Sequence, residues 1–496
     1  MNKFAALSGE MRRRIEAGDL RYGEKLPSVR LTARARRLSM TTVVAAYREL
    51  EATDLIEARP RSGYYVKFAT SPSPGLGRRL SRAPMQLEKY RDLMPDLLAE
   101  ANQGNRVLRL GVASIEGSLL PRKSLARVTR RILRTTGPQA FEYGDPMGLP
   151  SLRKRIGALM MDRGVAVAAS DAIVTSGCQE ALWIALQSVC RPGDAVAVES
   201  PCYPGAIKIM QLMGLKAVEI PSTPSGLDLE ALEGALRKHR IAACYVMPNC
   251  ANPTGSVYSE ETKQQLCELA AKHDLPLIED SANGDLYYGA SPLPSLKRYD
   301  RSDRVLFCSS FSKTVAPAFR VGWILPGRFT KKAMELKYGV SLGTPVLQQM
   351  VIDRFISEGS FKRALLQARR VLATTISQML RCVEECFPPG TVSHRPLGGM
   401  CAWIGLPPGV DGDRLRLMAL EKSISLASGR MFSPSGTYAN YIRLGWGGVW
   451  TKRAEAGVRA VGAVAHEISR GTRALSLDRE YFRAPDIRTK RNLVGA

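Results

Sequence analysis

Along the first seventy positions, apolar residues recur at helical spacing in three stretches and then alternate with polar ones. The spacing predicts a helix over residues 3–17 and two shorter helices over 29–38 and 41–53, with Gly18, Gly23 and Pro27 marking the turn after the first. Residues 55–57 and 64–68 read as strands around the turn Arg59-Pro-Arg-Ser-Gly63. Three helices followed by a two-stranded hairpin describe a winged helix-turn-helix over residues 1–68. The pattern then lapses. Residues 69–86 are rich in Ser, Pro, Gly and Arg, a composition that cannot bury a core and reads as a linker. Leu87, Tyr90, Met94, Leu97 and Leu98 restore helical spacing over about 87–103, with Pro95 inside it to kink or split the element, so 69–106 is read as a linker with one helix.

From about residue 107 short apolar runs at 172–175, 195–199, 242–247, 275–279 and 305–308 alternate with helical segments. That rhythm predicts a mostly parallel α/β sheet covered on both faces over 107–360. A smaller α+β unit is expected over 361–471, and 472–496, with six Lys/Arg and little periodicity, as a loose basic tail. A chain of 496 residues is long enough for several cores. No apolar run reaches the length of a membrane span, and the first residues carry no apolar stretch with a cleavage site, so a cytoplasmic protein is expected. Ten cysteines without a C-x-x-C pair, and four histidines, point to reduced thiols and to no metal site.

The net charge of +25 favours a polyanionic partner. Residues 1–68 hold fourteen Lys/Arg against eight Asp/Glu. In the third helix Val43, Ala46, Tyr47 and Leu50 share one face, while Ser39, Thr41 and Thr42 stand at the N-terminal end. This is the layout of a helix anchored to a core and free to enter a major groove. Arg30, Arg34, Arg36 and Arg37 crowd the preceding helix, and Arg59 and Arg61 sit on the wing, where phosphates or a minor groove would meet them. A small basic domain that binds a protein or dimerises has the same pattern. The runs Gly23-Glu-Lys-Leu-Pro-Ser-Val-Arg30, Ser39…Thr42-Val43…Ala46-Tyr47…Leu50 and Glu57-Ala-Arg-Pro-Arg-Ser-Gly63…Val66 resemble the winged helix of GntR-family transcription regulators. The resemblance implies binding to double-stranded DNA through Arg30, Ser39, Thr41 and Thr42. Met40 departs from it, standing where the family carries a basic residue, as does Thr32-Ala-Arg-Ala, so the operator does not carry over.

In the large unit, residues of distinct chemistry fall at the ends of the expected strands. Ser310, Ser312 and Lys313 follow one strand and precede Arg320; Ser176, Gly177 and Cys178 follow another and open a helix, where their three N–H groups could be presented to a phosphate at the positive end. A surface lysine and an ordinary helix cap would look the same. Asp280 ends a third strand, where a carboxylate needs either an arginine or another cation. Asn252-Pro-Thr-Gly255 is a turn, Tyr203 could stack on a ring or simply pack, and Arg443 in an apolar strand could grip a carboxylate or form an internal ion pair. Their order and spacing together are similar to fold-type I aminotransferases, which use pyridoxal 5'-phosphate (PLP). By that resemblance Lys313 forms the imine with PLP, Asp280 pairs with the pyridine nitrogen, Asn252 bonds the phenolic oxygen and Tyr203 stacks on the ring. Ser176, Gly177, Cys178, Ser310, Ser312 and Arg320 bind phosphate, and Arg443 takes an α-carboxylate. Tyr143 is similar to the tyrosine that reaches the partner subunit's phosphate, which implies a homodimer.

One departure bears on chemistry. Asn283 occupies the place where such enzymes carry a tyrosine that donates to the phenolic oxygen, with Tyr287 as a possible substitute. Poor transaminase turnover with retained cofactor binding is the consequence expected. A GntR winged helix joined to an aminotransferase-like domain resembles the MocR subgroup of regulators, in which an amino acid or amine effector displaces the lysine and alters DNA affinity. An active aminotransferase with an accessory DNA-binding domain, and a DNA-binding dimer on a cofactor-free scaffold, are the alternatives.

Overall fold

Helical periodicity at the front of the chain produces α1 (Lys3–Glu16), α2 (Val29–Arg36) and α3 (Met40–Ala52), followed by the strands β1 (Ile56–Arg59) and β2 (Gly63–Val66). The computed structural model describes residues 3–16, 20, 25–52, 55–59, 62–66, 83–289 and 291–471. β1 and β2 pair antiparallel with Ile56 opposite Val66. Val43, Ala46, Tyr47 and Leu50 are fully buried on one face of α3, against Leu7 and Met11 of α1. Tyr47 takes part in two polar contacts inside that core: its hydroxyl donates to the Pro27 carbonyl at 2.9 Å and lies 2.9 Å from the Thr32 hydroxyl. Burying a tyrosine requires such partners, and here they tie α3 to the entry of α2. Ala17, the expected wing residue Arg61, the Arg59 side chain and the tail 472–496 lie outside the described residues.

The segment read as linker and helix differs from expectation in two ways. Met85–Gln86 (β3) already belongs to the main sheet, pairing antiparallel with Lys216–Thr223. The helix is α4 (Met94–Ala101), shorter than expected, with Pro95 in its first turn. Proline is tolerated there because the first N–H groups of a helix have no intrahelical acceptor, so it starts the element rather than breaking it. Leu87 and Tyr90 are buried outside any helix, and the Tyr90 hydroxyl donates to the Met431 carbonyl at 2.7 Å.

Among the described residues the main sheet has nine strands. Its central run Lys216–Thr223, Ala195–Ser200, Ile241–Val246, Leu277–Asp280 and Val305–Ser310 is parallel throughout. Gly322–Leu325 then runs antiparallel, and Ile173–Thr175 antiparallel to it, which restores the first direction. The central strands are almost wholly buried, as expected of a sheet with helices on both faces. This topology decides where chemistry can occur. The C-terminal ends of the strands ending at Thr175, Ser200, Val246, Asp280 and Ser310 share one edge, and so does the start of the reversed strand at Gly322. That edge is where open α/β sheets bind ligands.

A second sheet carries Val392–His394, Cys401–Gly405, Tyr441–Gly445 and Ala427–Ser428, all antiparallel, with Trp403 opposite Arg443. β4 (Leu108–Arg109) pairs parallel with Ile424–Ser425, so the chain touches this unit between β3 and its return to the main sheet at Ile173–Thr175. All ten cysteines are free thiols; Cys382 and Cys386 lie on one helix with their sulfurs 4.0 Å apart. No helix among the described residues is long and apolar enough to cross a membrane.

Candidate functional site

The shared strand edge opens into a cavity of about 460 Å³. Lys313 enters it from the short turn Phe311–Lys313 that continues the strand Val305–Ser310, and its Nζ donates to the Ala113 carbonyl at 2.5 Å. Burial holds its pKa below the usual lysine range; Cys401 opposes that shift, and the cations Arg443 and Arg320 reinforce it. Asp280, the last residue of its strand, is 1% exposed. Its donors among the described residues are all uncharged: the Tyr245 hydroxyl at 2.9 Å, the Ala282 N–H at 2.9 Å and the Cys178 thiol at 3.5 Å. Burial raises its pKa against those bonds. A buried carboxylate with no cationic hydrogen-bond partner is a place prepared for a cation.

Arg443 faces the same cavity from the second sheet and is fully buried. It donates to the Asn252 side-chain oxygen at 2.9 Å and to the Gly111 carbonyl at 2.5 Å, and its guanidinium carbon lies 5.0 Å from the centre of the Phe432 ring. Its Nε has no partner, and no carboxylate pairs with it among the described residues. The internal ion pair left open by the sequence is therefore absent there, and the cation can receive an anion.

A third cluster forms around Arg320, held in the left-handed region at φ 51 just before the reversed strand. It donates to the Ser312 hydroxyl at 3.2 Å and the Ser176 carbonyl at 3.1 Å. Ser310 and Ser312 hydroxyls are 2.8 Å apart. Gly177 has φ 87, and a Cβ on it would run into the Arg320 guanidinium, so only glycine fits this turn. The expected row of three N–H donors is narrower than the sequence implied. The Ser176 N–H is taken by the Glu180 carboxylate and that of Gly177 by the Thr175 carbonyl at 2.8 Å. Cys178 is the first residue of its helix, where N–H groups have no intrahelical partner.

Tyr203 lines the cavity, its hydroxyl 3.4 Å from Gln179. Asn283 also lines it and donates from its amide to the Cys250 carbonyl at 3.3 Å. Tyr287, its suggested substitute, is not among the lining residues; its backbone bridges to Gly398 instead. Tyr143 stands away from the cavity at 97% exposure. Sequence reasoning missed Tyr245, the carbonyls of Gly111 and Ala113, and Met94 and Leu98 of α4. Tyr245 was detectable as a polar residue inside an apolar strand, but only strand order puts it beside Asp280.

On the winged helix, Arg30, Ser39 and Thr41 are exposed and Thr42 half-buried. The Ser39 hydroxyl accepts the Thr42 N–H at 3.1 Å and lies within 2.8 Å of both threonine hydroxyls, so it caps α3 as well as facing outward. Arg36 is paired with Glu10.

The aminotransferase class I and II family model matches residues 108–442, and that of bacterial regulatory proteins of the gntR family matches residues 5–66. The chain is 36% identical to the uncharacterized HTH-type transcriptional regulator YjiR of Escherichia coli strain K12, over 90% of this chain and 94% of that protein. It is 32% identical to the uncharacterized HTH-type transcriptional regulator YdcR of the same organism, over 94% and 100%. Among solved structures, LysN, the alpha-aminoadipate aminotransferase of Thermus thermophilus complexed with N-(5'-phosphopyridoxyl)-L-leucine, superposes with a TM-score of 0.70 at 29% identity. That superposition covers 76% of this chain and 96% of LysN.

Proposed function

The chain belongs to the MocR-type transcription regulators, in which a GntR-family winged helix is joined to an aminotransferase class I and II domain, and on that premise we propose that it is a PLP-dependent regulator that binds double-stranded DNA and senses an amino acid or amine. The observation that carries the reading is the meeting of Lys313, Asp280 and Arg443 in one cavity, each left with a chemical need that PLP and an amino acid together would meet. PLP, when bound, supplies an aldehyde that condenses with primary amines and a pyridine ring that draws electrons from them.

The chain's own residues have complementary roles. Burial favours the neutral form of the Lys313 amine, which is the nucleophilic one. Asp280 holds a proton on the pyridine nitrogen, and Tyr245 orients the carboxylate that does so. Asn252 would bond the ring's phenolic oxygen and Tyr203 would stack on its face. Arg320, the hydroxyls of Ser310, Ser312 and Ser176 and the N–H of Cys178 would receive the phosphate, with Gly177 supplying the turn that lets Arg320 come close. Arg443 receives the effector's α-carboxylate, exchanging its bonds to Asn252 and Gly111 for it. The full exposure of Tyr143 supports a role across a homodimer, and the DNA-binding reading supports a cytoplasmic place. Arg30, Ser39, Thr41 and Thr42, with Arg59 and Arg61, meet the DNA.

The alternative is an active aminotransferase with an accessory DNA-binding domain, favoured by the complete set of lysine, aspartate and arginine. Asn283 argues against it, since its amide already donates to Cys250. The deciding experiment measures DNA binding by the PLP-loaded protein with and without amino compounds, alongside steady-state transamination. A ligand-dependent change in DNA affinity with slow turnover is expected; turnover comparable to ordinary aminotransferases with unchanged DNA affinity overturns the reading. In the same samples the visible band should titrate with a midpoint above neutrality, and a midpoint well below it would refute the role given to Asn283.

A further inference from the structure

The cavity is larger than the cofactor reading uses. Its remaining lining includes Met94, Leu98, Val112, Pro317, Asp92 and Lys208. The two charged members are already engaged within the protein. The Lys208 ammonium donates to the Gln211 side chain at 2.9 Å, and the Asp92 carboxylate accepts the Met94 N–H at 2.9 Å, at the start of α4. Of the apolar members, Met94 and Val112 are partly buried against the cluster around Trp403, and Leu98 is the least covered. Leu98 is 49% exposed although it lines a cavity.

Leu98 cannot bury itself by turning the helix, because α4 is held from another side. Leu97 is fully buried in a cluster with Trp403 and Phe432. It also lies against Gly111 so closely that a Cβ there would come within 2.7 Å of it. Glu100 and Arg416 form an ion pair with both side chains at most 8% exposed. Met94 and Leu98, four residues apart, share a face, and these anchors hold that face over the cavity. Val112 belongs to the segment whose carbonyls at Gly111 and Ala113 accept from Arg443 and Lys313. An apolar wall therefore stands next to the two groups that would take an amino acid's carboxylate and amine.

We propose that Met94, Leu98 and Val112 form the effector's side-chain subsite, and that the effector is an α-amino acid with an apolar side chain. This rests on the sensing role proposed above. The apolar chain of the ligand removes the exposed face of α4 from water, and the wall is formed before the ligand arrives, so little ordering opposes binding. A charged side chain would have to lie along this apolar wall, with the Lys208 ammonium held at Gln211 and the Asp92 carboxylate at the helix start.

The test is a spectral titration of the full-length, PLP-loaded protein with L-leucine, L-methionine, L-alanine, L-glutamate and L-lysine, in wild type, Leu98→Ala and Leu98→Asp. Leucine or methionine should give an apparent Kd about tenfold below that of alanine and well below those of glutamate and lysine. Leu98→Asp should remove that preference while leaving the alanine response in place; the exposure of Leu98 makes both variants compatible with folding, which far-UV circular dichroism checks. Tightest binding by glutamate or lysine overturns the subsite, and so does an equal loss for alanine and leucine in the variants. Failure of the loaded protein to show any visible band defeats the cofactor reading instead, and thermal-shift measurements with the same amino acids then decide the side-chain preference without it.

Discussion

The exposed face of the winged helix and the cavity at the sheet edge place their cations in opposite surroundings. Arg30 and Arg34 lie within one short stretch of chain, exposed to water, where a phosphate can be met in many geometries; Arg36 beside them is paired with Glu10. Lys313 and Arg443 come from segments 130 residues apart, and each is held by a backbone carbonyl at 2.5 Å. Exposed charge acts over distance and is screened by salt, so it yields affinity that many sequences share. Enclosed charge acts at contact and is barely screened, so it yields selectivity for one shape and one ionisation state. The sensor proposed above would use both: a broad electrostatic grip on DNA and a narrow test of a small molecule.

Four changes probe that contrast, taken from the largest effect downward. Lys313→Ala should abolish the visible absorbance of the PLP-loaded protein completely while leaving the ligand-free DNA affinity unchanged; a loss of DNA binding as well would mean the two regions are not separable. Arg443→Ala should weaken the spectral response to amino acids by about 10²-fold, the cost of removing an enclosed cation from a carboxylate, and leave the band itself. An unchanged response would mean the effector has no carboxylate at that point. Arg30→Ala should weaken DNA binding by about tenfold and reduce the salt slope by about one. Arg36→Ala should do less, because Glu10 already holds that side chain. Fluorescence anisotropy at several salt concentrations checks both, and a flat salt response in the wild type would break the comparison.

The smallest effect concerns stability. Glu199 is 2% exposed, and burial pushes its carboxyl up to about 7 from 4.5, against the bonds it accepts from Tyr258 and Met247. The folded value lies above the unfolded one, so the stabilisation is complete below 4.5 and is lost as the pH rises through about 7. Glu199→Gln does not titrate and should flatten that loss. Melting of both proteins near pH 5 and pH 8 should show a difference on the order of 2 kcal/mol in the pH dependence; identical pH profiles would show that Glu199 stays ionised in the fold.

Legibility in the sequence followed the same division. The winged helix was readable because its elements are local: Val43, Ala46, Tyr47 and Leu50 repeat at helical spacing, and they are the residues found at 0% exposure. Asp280 and Ser310 were readable as polar residues at the ends of apolar strands, and Arg443 as a cation within one. Pro95 misled, because a proline inside a periodic stretch breaks a helix in its middle but not in its first turn. The row of N–H donors at Ser176 and Gly177 misled too, because a neighbouring side chain and carbonyl had already taken two of them.

What the sequence determined by itself was the inventory: which residues can cap, stack, donate or carry charge, and which stretches must hide a face from water. Spacing along the chain is enough for that, since helices and strands are read over a few residues. What only the tertiary structure decided was adjacency. Strand order brings Tyr245 to Asp280, a reversed strand brings Arg320 to Ser176, and pairing of the second sheet points Arg443 at Asn252. It also decided that α4 is fastened through Leu97 and Glu100 and so leaves Leu98 over the cavity. Such contacts arise from packing between segments distant in sequence, and local pattern carries no record of them.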